Sequence, residues 1–351
     1  PSDVSGKVEG KDRKYYRIDH ATEIWEKGER GQALIKILLD KHVVITEKVD
    51  GIQFGILKDE DGTVRYRSKN YYMTPAMLAY GAWGVLVDRL EKRREETEDF
   101  SFLPPNTQVI GEFLPSTRPN QVEYARVPRG NLVVFDVKVG GEYRSASLVA
   151  KVAEALESDH ARILFDGELS DEQKAKLTEF LSTPLDDKQK LYKDKSFTDY
   201  ILHDVLGLKV NGGQFGKNVE GIIIKYYPAK EEGKRPMFTT LVDPQYTEVV
   251  VRKNVTHRKE KSITSFYHEL INDYVTEARI HKAYTAMENE ILPQLMEIAP
   301  DREFTDSDKY LILIEAIFNS LHDEVFFGSE EDYEDVSRGF VLQKDMASAN
   351  V

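Results

Sequence analysis

The sequence predicts an α+β fold, and three observations point to it. β-prone runs recur between about residues 43 and 253; stretches with helical spacing are interleaved among them; after residue 260 the strand signal stops and only helical periodicity remains. A chain of 351 residues is long enough for two cores. The expected organisation is therefore a mixed domain of antiparallel sheets with flanking helices over residues 1–258, followed by a small all-α domain over residues 259–351.

The elements follow in order. "VVITEK" and "IQFGILK" read as strands, and the turn "DEDG" joins the second to "TVRYRS", with Asp61 and Gly62 supplying turn chemistry. Apolar positions at helical spacing in "AMLAYGAWGVLVDRLEKR" predict one helix over 76–93, its basic end suited to a C-terminus. Strands are expected at 107–114 and 131–139, the latter closed by Gly140 and Gly141. Helices are expected at 147–158 and 170–182, the second opened by a capping box of Ser170 with Gln173. A helix near 197–206 and strands at 220–227 and 247–253 complete the first domain. Beyond 260, Phe266, Leu270 and Tyr274 share one helical face, and Ile314, Ile317 and Leu321 share another across the Pro300 region. No internal repeat is visible.

Composition narrows the function. There are no cysteines, which removes disulfides, thiolate nucleophiles and cysteine-based zinc sites. The eight histidines are scattered, so an oxygen-bound hard cation is the more natural metal. A net charge of −13 argues against a bulk electrostatic nucleic-acid binder but leaves room for local basic patches, such as "KNVTHRKEK" and "RYRSK". Charge breaks every apolar run before a membrane span is reached, and residues 1–20 are too charged for a signal peptide. A cytoplasmic location with no membrane partner is expected.

One stretch stands apart. "VVITEKVDGIQFGI" places Lys48 between Glu47 and Asp50 inside an apolar, β-prone run, where charge is costly. A lysine becomes a nucleophile only on losing a proton, which burial or neighbouring cations promote and neighbouring acids oppose. KxDG alone is common by chance. Its companions are more telling, for after "EKVDG" (47–51) come "RYRSKN" (65–70), "IGEFL" (110–114), "VVFDV" (133–137), "EGIIIK" (220–225) and "VVVRKN" (249–254), each on or beside an expected strand.

This ordered set resembles the covalent nucleotidyltransferase superfamily of ATP-dependent DNA and RNA ligases and capping enzymes. The resemblance covers roughly residues 40–256. It implies a ligase adenylation domain of ATP-grasp-like character, with ATP as the AMP donor and Mg2+ or Mn2+ as the metal. By the same resemblance Lys48 attacks the α-phosphorus to form lysyl-AMP, and Gly51 completes the motif at the nucleotide. Glu47 lies by the adenine, Arg67 touches phosphate, Glu112 holds the ribose or a metal-bound water, and Phe135 stacks on the adenine. Glu220 handles the metal, and Lys225 and Lys253 neutralise phosphate charge. The last motif departs from the pattern of alternating lysines, since Arg252 falls on the face opposite Lys253.

Helices where many relatives carry a five-stranded barrel make the chain look like an RNA ligase, and Gln53 sits where nick-sealing members place a short amide toward the 3′-hydroxyl end. Arg252 would also meet nucleic acid. The implied reaction joins 5′-phosphate and 3′-hydroxyl RNA ends through an adenylylated 5′ end, on free ends or a nicked RNA duplex, and the resemblance to phage-type RNA ligases suggests a phage-encoded enzyme. The rivals are a DNA ligase with an atypical C-terminal domain and a catalytically silent RNA-end-binding protein. Oligomeric state is left open.

Overall fold

The architecture was examined in a computed structural model that describes residue 18 and residues 20–69, 71–193, 195–210, 212–228, 236–246 and 275–325. The chain divides into two compact units, residues 1–247 and 248–351. The expected boundary near 257–262 lies outside the described residues, as do the strand at 247–253 and the face of Phe266, Leu270 and Tyr274.

The first unit is built on two antiparallel sheets. The smaller has the order β10-β9-β1-β8, from β1 (His42–Lys48), β8 (Ile163–Glu168), β9 (Gly221–Tyr226) and β10 (Met237–Val242). The larger has the order β3-β2-β4-β5-β6, from β2 (Ile52–Lys58), β3 (Val64–Ser68), β4 (Thr107–Phe113), β5 (Leu132–Val139) and β6 (Glu142–Tyr143), with the short β7 (Asp159–His160) parallel to β5. Strand alternation sorts their faces. Val43 and Ile45 of β1 join Ile222 and Ile224 of β9 in a core against α1 (Ala21–Glu26), α2 (Glu29–Leu39) and α6 (Asp171–Ser182). Phe54, Ile56, Val109 and Val137 of the larger sheet pack instead against α3 (Pro75–Tyr80), α4 (Trp83–Glu96) and α5 (Ala146–Ala155). A third, smaller cluster, including Val49, Leu114, Tyr124, Val133 and Phe215, fills the space between the sheets. Each sheet thus covers one face with helices and turns its polar residues toward the other sheet.

The strands at 52–58, 64–68, 107–113, 132–139 and 221–226 fall where alternation and turn chemistry place them, and the Ser170–Gln173 capping box is formed. The single helix expected over 76–93 is two helices. α3 stops at Gly81, whose backbone is extended, and α4 starts at Trp83. The helices meet so closely that a Cβ on Gly84 would stand 2.5 Å from the Leu78 carbonyl oxygen. α1 and α2, with β7, β8 and β10, carried no signal strong enough to be read. After α7 (Leu185–Lys188), the helix near 197–206 is the short α8 (Phe197–Asp199) continuing as a π-helical stretch, Tyr200–Val205.

The described part of the second unit is all helical: α9 (Glu277–Ala286), a π-helical turn Met287–Ile291, α10 (Leu292–Ile298) and α11 (Asp306–Val325). Arg279 is buried between α9 and α11, donating to Ser320 Oγ at 2.7 Å. Among the described residues no helix is long and apolar enough to cross a membrane.

Candidate active site

Lys48 is the last residue of β1 and lies opposite Gly221, the first residue of β9. That register brings Glu220, one residue before β9, against the amine, and Lys48 Nζ donates to Glu220 Oε2 at 2.5 Å. Glu220 is almost fully buried, whereas about a fifth of the lysine side chain is open to solvent. The two acids beside Lys48 in sequence are engaged elsewhere. Glu47 points to the opposite face of β1, where it pairs with Arg162 and accepts from the Gln214 amide at 2.9 Å. Burial pushes its carboxyl pKa up, and the Gln214 amide and Arg162 only partly offset this. Asp50 anchors a loop instead: its carboxylate accepts from Asn120 Nδ2 and from the amides of Gln121 and Val122, while its own amide donates to the Tyr124 hydroxyl at 2.7 Å. Gly51 follows because the chain passes close to β4, where a Cβ would meet Phe113 O at 2.9 Å and Glu112 Cβ at 3.0 Å.

The second group sits deeper between the sheets. The pairing of β4 with β5 slips between Ile110 and Gly111, opposite Asp136 and Val134, so Phe135 is the extra residue of a bulge. A bulge re-aims side chains, and here it presents Phe135 and Asp136 to β9. Lys225 Nζ donates to Phe135 O at 2.9 Å and to Asp136 Oδ1 at 3.0 Å, and it lies 5.6 Å from the Phe135 ring centroid. Tyr227 donates its hydroxyl to the same Asp136 oxygen at 2.8 Å. Burial, with the Asp136 charge second, holds that hydroxyl far above the ordinary tyrosine pKa. Lys225 and Asp136 are both essentially inaccessible, so this ion pair is costly unless each atom is satisfied.

The remaining residues singled out from the sequence line the larger sheet. Gln53 and Glu112 are directly opposed on β2 and β4. Arg67 lies opposite Gly55 and is buried, its guanidinium donating to the carbonyls of Ser68 and Lys69. Burial lowers its pKa. Arg65, two residues away in "RYRSKN", is drawn off to Asp59 at 2.6 Å and lies over the Tyr72 ring, so the two arginines have different surroundings. Lys253 and Arg252 lie outside the described residues. Asp136, Tyr227, Tyr124 and Arg162 were missed as site residues. The acid inside the apolar run "VVFDV" was the available signal for Asp136.

Burial raises the Tyr124 hydroxyl pKa first, and the charges of Asp50, Glu220 and Glu112 add to the rise. Among the described residues no cluster of three or more histidine or carboxylate side chains forms a closed metal cage. Carboxylate oxygens such as those of Glu220 and Glu112 suit a hard cation that completes its shell with phosphate oxygens and water.

The family model described as RNA ligase matches residues 41–238, more than half of the chain. The chain belongs to the RNA ligase family. The match spans Lys48, Glu112, Phe135, Glu220 and Lys225. Among solved structures the chain is similar to a lysine-to-methionine mutant of Naegleria gruberi RNA ligase with AMP and Mn, at 14% identity and TM-score 0.45, covering 70% of this chain and 60% of that one. It is also similar to the Naegleria enzyme with PPi, at 15% identity and TM-score 0.40, covering 68% and 60%, and to a lysine-to-alanine mutant with ATP and Mn, at 15% and 0.41, covering 68% and 59%. This chain thus spans about 60% of the length of those chains. Comparison with curated proteins gave no match.

Proposed function

We propose that the chain is an ATP-dependent ligase that joins 5′-phosphate to 3′-hydroxyl RNA ends, with Lys48 carrying AMP between two of its steps. The observation that carries this reading is the end of β1, where the partly exposed Lys48 amine meets buried Glu220 and shares a strand face with the slot beneath Phe135 and Lys225.

In the first step the Lys48 amine attacks the α-phosphorus of ATP, a P–N bond forms and the P–O bond to pyrophosphate breaks. Glu220 Oε2 is the carboxylate within hydrogen-bond reach of the departing lysine proton. In the second step a 5′-phosphate oxygen of RNA displaces Lys48 from the adenylyl phosphorus, giving the adenylylated 5′ end. In the third a 3′-hydroxyl attacks the 5′ phosphorus and AMP leaves. The protein contributes positioning and charge neutralisation more than covalent chemistry. Lys225 supplies a fixed cation for phosphate charge, and Asp136 and Tyr227 hold it in place. Glu220 and Glu112 are the residues that would hold a divalent cation, which when bound would neutralise charge on the transferring phosphate. Gln53, paired with Glu112, is assigned to the 3′-hydroxyl end. Lys253 and Arg252 are assigned to phosphate and RNA, and the helical unit to choosing among RNA ends.

The test uses two substrates. Wild-type protein with ATP and magnesium should join 5′-phosphorylated RNA to a ribose 3′-hydroxyl and pass through adenylylated RNA. Lys48→Ala should fail with that substrate yet still seal RNA supplied with a pre-adenylylated 5′ end. Sealing of 5′-phosphorylated RNA by Lys48→Ala would refute the mechanism. Indifference of the wild type to ribose or deoxyribose at the 3′-hydroxyl side would favour a DNA ligase.

A further inference from the structure

Val44, Thr46 and Lys48 share one face of β1, because alternate residues of a strand point the same way. Thr46 stands two residues, about 7 Å, from the nucleophile along that strand. Its side chain lines a narrow slot whose other walls include Phe135, His160, Lys225 and Tyr227. Thr46 is 5% exposed, and its hydroxyl has no hydrogen-bond partner among the described residues. A buried hydroxyl with no partner destabilises a fold, so its presence at this wall calls for a ligand that satisfies it.

His160 adds a direction. Its Nδ1 lies 3.1 Å from the Ala161 carbonyl oxygen, and a carbonyl can only accept, so Nδ1 carries the proton. In the neutral ring Nε2 is then an acceptor. The backbone around it is pinned: Ala161 N donates to Val134 O, and Gln214 Nε2 donates to His160 O at 2.8 Å. The ring is therefore held at the wall by β5 on one side and by the loop of Gln214 on the other.

Resting on the adenylyl-transfer reading of Lys48, we infer that Thr46 and His160 form the polar edge of the base pocket and set its choice of base. Phe135 supplies the stacking face. The His160 acceptor receives the exocyclic 6-amino group of adenine, and the Thr46 hydroxyl donates to a neighbouring ring nitrogen. Hypoxanthine and guanine carry a carbonyl oxygen at that position, which sets two acceptors against each other and leaves buried polar groups unpaired. The slot is narrow, with about 10 Å³ open to water, so its walls must separate to admit a purine. Glu47, turned to the other face of β1 and held by Arg162, takes no part in this reading.

The experiment measures binding and charging separately. Calorimetry with the α,β-methylene triphosphates of adenosine and inosine, which Lys48 cannot cleave at the bridging bond, reports the pocket alone. Labelling of Lys48 from ATP reports the chemistry. Wild type should prefer the adenosine analogue by tenfold or more. Thr46→Val, close in shape but without the hydroxyl, should lose several-fold in affinity for that analogue, raise the KM for ATP with little change in kcat, and melt at or above the wild-type temperature. His160→Leu should bring the two analogues to similar affinities, and Thr46→Ser should restore wild-type behaviour. Unchanged affinity and unchanged base preference in both Thr46→Val and His160→Leu would overturn the inference. Binding that follows this pattern without label on Lys48 would uphold the pocket and defeat the ligase reading; no binding of either analogue would defeat both.

Discussion

Two cavities in this molecule carry positive charge and differ in use. At the C-terminal end of α5, Arg89, Arg93, Arg129 and Lys151 line an open cavity of about 700 Å³. Between the sheets, Thr46, Phe135, His160, Lys225 and Tyr227 line a slot of about 10 Å³. Size and positive charge alone favour the first as a phosphate site. Its guanidinium groups, however, are tied to one helix end: Arg89 donates to Leu156 O at 2.7 Å, Arg93 to Ala155 O at 2.8 Å and Arg129 to Ser158 O at 2.9 Å, although Arg89 Nε has no partner among the described residues. They close the carbonyl end of α5, where a helix presents unpaired acceptors and partial negative charge. Beside the slot, among the described residues, Lys48 is held by a single carboxylate and reaches solvent, and the Thr46 hydroxyl has no partner. What separates the two clusters is where the charged ends go: the arginines are tied to the last carbonyls of one helix, whereas the Lys48 amine stands open at the edge of a site.

The largest way to break this contrast is at Lys225. Lys225→Met removes the fixed cation, and Asp136→Asn, which leaves the lysine in place, weakens its anchoring. Lys225→Met should slow charging of Lys48 about 100- to 1000-fold, the scale of losing one preorganised charge at a developing anion, and Asp136→Asn should slow it less. Single-turnover labelling with α-labelled ATP reads both. Rates within threefold of wild type would remove Lys225 from the mechanism.

Next comes the arginine cluster. Arg89→Met should cost about 1–3 kcal/mol of stability by stranding the Leu156 carbonyl, seen as a lower denaturation midpoint, with charging per folded molecule unchanged. A charging defect as deep as that of Lys225→Met would erase the distinction drawn between the clusters.

The smallest effect sharpens the comparison with a third buried cation. Lys188 donates to Phe180 O at 2.9 Å and lies over the Phe180 ring, and burial lowers its pKa to about 8. Unfolded lysine titrates near 10.4. Between those values the unfolded chain binds more protons than the folded one, so this group adds stability as pH rises from about 8 toward about 10. Comparing denaturant midpoints of wild type and Lys188→Met across that range should show the gain in wild type and its absence in the variant. Parallel curves would assign the buried ammonium no such role.

Much of this was legible in the chain. β-prone runs bounded by turn residues, such as Asp61–Gly62, located six strands, β1 to β5 and β9, even where, as in β9, both faces are buried and alternation is absent. Lys48 and Glu220 could be singled out together only through the resemblance, since 172 positions separate them and their contact depends on the β1–β9 register. The fate of Glu47 and Asp50 could not be read from spacing, for their partners Arg162, Gln214 and Asn120 come from distant loops. Phe135 and Asp136 are consecutive and on regular alternation would face opposite ways; only the bulge brings both to Lys225. Helices α1 and α2 were missed because the charged stretch "IWEKGERGQALIKILLD" mixes apolar and charged positions around a glycine that interrupts the period.

The most direct test of the central claim is to incubate the purified protein with α-labelled ATP and magnesium, denature it, and map any label by peptide mass spectrometry. Acid-labile AMP on Lys48, absent in Lys48→Ala, is the predicted result. A protein that binds ATP but carries no covalent AMP, or carries it on another residue, would contradict the account.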